Sequence, residues 1–130
     1  MYPALCEGDA LTVCYYQKPL LLSQIPIGKV VLLKDKKEWV VHRVVLANQK
    51  HMTKGDWSYP LDSMEEVWGE VVAINGRKSA VLESPLIAEI SSNLNKKQTR
   101  FTRYLKKALL ICLSMGLRNL KGRRSYDVND

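Results

Sequence analysis

Nine residues, W-V-V-H-R-V-V-L-A at 39–47, constrain the fold more than any other stretch of this chain. Four of the nine are valine, and two heavy atoms on Cβ sit badly against a preceding helical turn but well on a pleated surface. The run therefore predicts a strand. Strand alternation places His42 on one face with Val40 and Val44, and Arg43 on the other with Val41 and Val45. An imidazole among valines must be hydrogen-bonded or must face a cleft. Similar runs occur at 10–16 (A-L-T-V-C-Y-Y), 29–34 (K-V-V-L-L-K), 67–75 (V-W-G-E-V-V-A-I-N) and 79–82, the last two joined by the turn Asn75-Gly76. Pro, Gly and Asp clusters separate them. No strand–helix alternation and no internal repeat is present, so the expectation is a mainly β fold, a small antiparallel sheet or barrel-like core.

The last third has a different pattern. Over 99–120, Phe101, Tyr104, Leu105, Ala108, Cys112 and Met115 recur at helical spacing. The uncharged run 108–117 has ten residues, half of what crosses a bilayer. Such a helix either covers the sheet or lies in a membrane interface. Charge separates the same two parts. Residues 1–95 hold 10 Lys/Arg against 11 Asp/Glu, net −1, whereas residues 96–130 hold 10 Lys/Arg against 2 Asp, net +8. The expected organisation is a β domain over 1–95, a basic amphipathic helix over 96–124 and a disordered end over 125–130. A basic segment of this kind points to an anionic surface, lipid or nucleic acid, or is a solvated helix face. The three cysteines, Cys6, Cys14 and Cys112, form no C-x-x-C pair, so no disulfide framework, metal site or cofactor is expected.

Short motifs carry the chemistry. In order they are M-x-P-x-L-x-x-G-D (Met1, Pro3, Gly8, Asp9), P-x-x-G-x-V-V-L, V-V-H-R-V-V (His42, Arg43), T-K-G-D-x-x-x-x-x-D (Thr53, Lys54, Gly55, Asp56, Asp62) and G-x-V-V. Each alone reads as turn or strand chemistry. As an ordered set over about residues 1–74 they resemble the signal peptidase I group of serine peptidases, in particular its archaeal and endoplasmic-reticulum type. The resemblance implies a small β catalytic core of the kind shared with LexA-type repressors. It implies that His42 is the general base and that Asp62 completes the site. Leu61 and Trp57-Ser58 replace an Asp and an Asn pair of the family box, and Gly28-Lys29 replaces a Gly-Asp.

In that family the nucleophilic Ser stands immediately before the Met of the first box, the position preceding Met1. The resemblance thus implies one of two things. Either the natural start lies upstream and supplies this Ser, or the chain is a non-catalytic relative. The joint presence of His42 and Asp62 favours the first. The implied reaction is cleavage of leader or signal peptides with small residues at the scissile bond, bound by strand addition. The implied partners are such a peptide and, through 96–124, an anionic membrane surface, with nucleic acid the weaker expectation. The implied placement is membrane-associated or cytoplasmic.

Three other side chains compete for roles. Cys6 with His42 forms a potential thiol dyad, although a buried or inert Cys is the expectation at this variable position. His51 is expected to be exposed in a hairpin. Asp56 competes with Asp62 as the partner of His42, with its Gly-Asp context favouring a structural turn. Trp39, Trp57 and Trp68 are expected to pack in the core or loops rather than stack on bases.

Overall fold

The computed structural model describes residues 4–56, 61, 64–94 and 99–119. Met1, Pro3, Trp57, Ser58, Asp62 and the segment 125–130 lie outside the described residues. Among the described residues five strands form one antiparallel sheet: β1 (Leu11–Leu21), β2 (Val30–Asp35), β3 (Glu38–Ala47), β4 (Lys50–Lys54) and β5 (Glu66–Ile74). Two helices follow, α1 (Pro85–Ser92) and α2 (Arg100–Asn119). The strand order is β1-β5-β2-β3-β4, so β5 returns to the middle of the sheet. The mainly β expectation with a C-terminal helix holds.

The valine-rich run forms β3 as expected, with β2 on one side and β4 on the other. β4 was not foreseen as a strand. It is reached by a two-residue turn in which Asn48 and Gln49 both take positive φ, the arrangement that matches strand twist in a tight hairpin. The expected strand at 79–82 is instead a one-turn helix, Ala80–Leu82. Ile74 and Arg77 close the Asn75-Gly76 turn, and the chain then leaves the sheet. α1 was also not foreseen. Ser84 caps it, accepting from the Ile87 amide at 3.2 Å, and Pro85 occupies its first position, where no amide is needed.

Two irregularities in β5 curl the sheet. Leu32 faces Gly69 while Leu33 faces Val67, which leaves Trp68 as an extra residue. Gly69 is required there, because a Cβ would stand 2.8 Å from the Cys14 carbonyl oxygen. The one-turn helix after β1, Leu22–Gln24, then lies against β4, so the two edge strands approach each other in a barrel-like curl. One core cluster fills the curl, with Leu22, Ile25, Val31, Leu33, Val44 and Val67. The other lies beneath the helices and includes Leu5, Val30, Val71, Leu82, Ile87 and Leu110. α2 therefore shares a core with the sheet. It does so through Leu110, with Leu113 and Leu117 alongside, and not through the stripe singled out in the sequence.

Candidate active site

β3 carries His42 opposite Val31 of β2, half-buried. The residue lines an open cleft of about 530 Å³ together with Leu5, Cys6 and Glu7 of the N-terminal box and Trp39–Val41 of the same strand, and its Nδ1 is buried. Two motifs more than thirty residues apart in sequence thus share one cleft. Cys6 is exposed in it, so of the two expectations for this thiol, buried or inert, the first does not hold. Trp39 is half-exposed at the same cleft and rests edge-on against Tyr15 and Trp68, with ring centroids 6.4 and 6.1 Å apart. It is surface packing rather than core.

The N-terminal box is held by Asp9. Gly8 turns the chain at a φ of +85°, and the Asp9 carboxylate then accepts the Cys6 amide at 2.7 Å. Asn75 donates to it at 2.9 Å, and Arg118 of α2 grips both oxygens at 2.8 and 3.0 Å. Arg118 also donates to the Ala4 carbonyl at 2.9 Å. The segment that lines the His42 cleft is therefore pinned from behind by the helix. The hydrogen-bonded Arg118 guanidinium holds the Asp9 carboxyl well below the usual carboxylate range, against the opposing effect of burial.

Because folding lowers this pKa, the stability it contributes is fully present above the ordinary value of 3.8 and is lost as pH falls below it. Asp9→Asn is expected to destabilise at neutral pH and to lose less on acidification than the wild type. Arg118→Ala is expected to cost about 2 kcal/mol at pH 7. Urea melts at pH 7 and pH 3 check both; equal acid sensitivity of wild type and Asp9→Asn would contradict the assignment.

Arg43 points away from His42, as strand alternation requires, and is fully buried. Its Nε and Nη2 donate to the two Asp56 oxygens at 2.8 and 3.0 Å, and its Nη1 to the Gly28 carbonyl at 2.7 Å. Gly28 itself sits at a φ of +98°, with no room for a side chain against Ser84 and Pro85. Asp56 is therefore consumed by Arg43, which decides the sequence alternative: it is a structural carboxylate. Lys54 is buried beside it and donates to the Ser91 and Leu94 carbonyls at the end of α1. Burial pushes its amine down to about 8, with Asp56 opposing. The T-K-G-D box thus fastens the chain to α1 just before the segment that carries Asp62. Lys29, next to Gly28, makes ion pairs to Glu70 at 2.5 Å and Glu83 at 2.6 Å.

His51 is half-buried rather than exposed. It lines a different cleft of about 570 Å³ between β4 and the end of β1, with Leu21, Leu22, Met52 and Met64. The larger cleft is therefore not the one that holds the motif residues. It is mostly apolar and brings no second motif residue to His51. Arg118 and Asn75 were missed as parts of the site; their partner Asp9 lies 109 and 66 residues away in sequence, and only the fold joins them. Among the described residues no cluster of His, Cys, Asp and Glu is placed to hold a metal ion. Comparison with family models, with curated proteins and with solved structures finds no match for this chain.

Proposed function

We propose that this chain is the catalytic domain of a signal-peptidase-like serine endopeptidase that removes leader or signal peptides. The observation that carries the reading is the shared cleft: the N-terminal box and His42 line it together, while the companion residues Arg43, Lys54 and Asp56 build the scaffold behind. The reading requires a Ser immediately before Met1. A Ser hydroxyl is a weak nucleophile at neutral pH and needs an adjacent base. His42 takes its proton as the oxygen attacks the scissile carbonyl, then gives that proton to the leaving amine. Water, deprotonated by the same imidazole, hydrolyses the resulting ester and frees the Ser. Asp62 orients the imidazole and balances its transient charge.

The substrate in this reading is an extended peptide with small side chains at the cut. Main-chain hydrogen bonds to a strand edge supply affinity. A peripheral or cytoplasmic placement goes with it; among the described residues no helix is long and apolar enough to cross a membrane.

The chain preceded by Ser, incubated with a leader-peptide library, tests the proposal by mass spectrometry. Cuts after small residues are expected, lost in His42→Ala and kept in His51→Ala and Cys6→Ala. A folded Ser-bearing chain that binds these peptides without cutting them would favour a non-catalytic peptide-binding module.

A further inference from the structure

We propose that α2 docks on an anionic lipid bilayer, lying in the plane of the interface with Phe101, Tyr104, Leu105, Leu109, Cys112 and Met115 turned toward the acyl chains. α2 covers the core with one side only. Leu110 and Ser114 are buried beneath it, whereas Phe101 is 71% exposed, Tyr104 72% and Met115 58%. At 3.6 residues per turn the exposed residues form one stripe opposite the buried ones, and Phe101 to Met115 spans about 21 Å. An apolar stripe of this length, with two aromatic rings, is costly to leave in water.

Charge selects what covers it. α2 carries Arg100, Arg103, Lys106, Lys107 and Arg118 and no carboxylate. With its flanks, residues 96–130, it holds 10 Lys/Arg against 2 Asp. A second copy seated on the stripe would bring two such segments together at the cost of like-charge repulsion. A nucleic acid would engage the cations but leave the stripe in water. An anionic bilayer takes both, the acyl boundary receiving Phe101, Leu105 and Met115 while the headgroups receive Arg100 and the cations of the flanks; Arg118 and Lys106 stay on their partners Asp9 and Asn93. The inference stands on α2 alone and does not depend on the peptidase reading.

The full chain is to be cosedimented with phosphatidylcholine vesicles, with and without phosphatidylglycerol. Binding is expected only where phosphatidylglycerol is present. The triple variant Phe101→Ser, Leu105→Ser, Met115→Ser should bind about tenfold or more weaker, since the lost apolar burial is the source of insertion. Arg100→Glu, at an exposed position, should also weaken binding. All four positions are exposed and off the buried face, so melting curves should match the wild type. As a readout within an otherwise intact chain, Tyr104→Trp should add a blue-shifted emission on anionic vesicles only. Equal binding to neutral vesicles, binding that the triple variant retains, no binding, or a wild-type dimer dispersed by the triple substitution would overturn the proposal.

Discussion

Asp56→Ala is expected to lose about 3–5 kcal/mol of stability, a large share of what holds a domain of this size together. The reason is the state in which it leaves Arg43. Both side chains are fully buried, at 0% exposure, and the guanidinium makes three hydrogen bonds. Removing the carboxylate leaves a buried cation with only the Gly28 carbonyl to satisfy it. Replacing both partners at once, Arg43→Met with Asp56→Leu, removes the charge and its counter-charge together and should recover much of the loss. Urea denaturation followed by tryptophan emission measures all three chains. A cost of less than about 1 kcal/mol for Asp56→Ala would mean that the pair is not buried in solution.

His42→Ala is expected to behave in the opposite way. In the Ser-bearing chain it should lower kcat/KM by about a thousandfold or more, since the proton of the nucleophile has nowhere to go. Its melting curve should stay close to that of the parent, because the imidazole is half-buried at a cleft and leaves little void. The two variants thus set two neighbours on β3 apart: Asp56→Ala strips Arg43 of its counter-charge, and His42→Ala removes the imidazole beside it. Arg43 is fully buried and holds the fold; His42, half-buried, lines the cleft. A His42→Ala chain that unfolds would make this imidazole a core residue instead.

Alternation along β3 was enough to foresee that separation, because a strand without bulges keeps its period of two and none interrupts β3. That Asp56 is structural was signalled by its Gly-Asp context, but its partner Arg43 was not readable from sequence. Two carboxylates follow His42 within twenty residues, and only the path of the chain decides which one Arg43 takes. β4 escaped notice because K-H-M-T-K is largely polar and has a single β-branched residue; its pairing with β3 along one edge makes it a strand. The N-G turn after β5 was recognised, yet the strand expected beyond it is absent, since a closing turn does not oblige the chain to continue pairing.

α2 shows a different limit. Its helical period was plain, and both of its sides are apolar: Leu110, Leu113 and Leu117 on one, Phe101, Leu105 and Met115 on the other. Periodicity alone favours the stripe with more apolar residues. The core took the other, aided by the Arg118 clamp on Asp9 and a Lys106 hydrogen bond to the Asn93 carbonyl at 3.1 Å. Contacts that reach across 109 residues leave no local trace.

The most direct test of the peptidase reading is the effect of one added residue. The chain beginning at Met1 and the same chain preceded by a single Ser are to be assayed side by side on one leader peptide with a small residue at the cut. The reading predicts cleavage by the second and none by the first, with Ala in place of the added Ser restoring silence. Equal rates from the two chains, or no cleavage from a folded Ser-bearing chain that carries both His42 and Asp62, would contradict it.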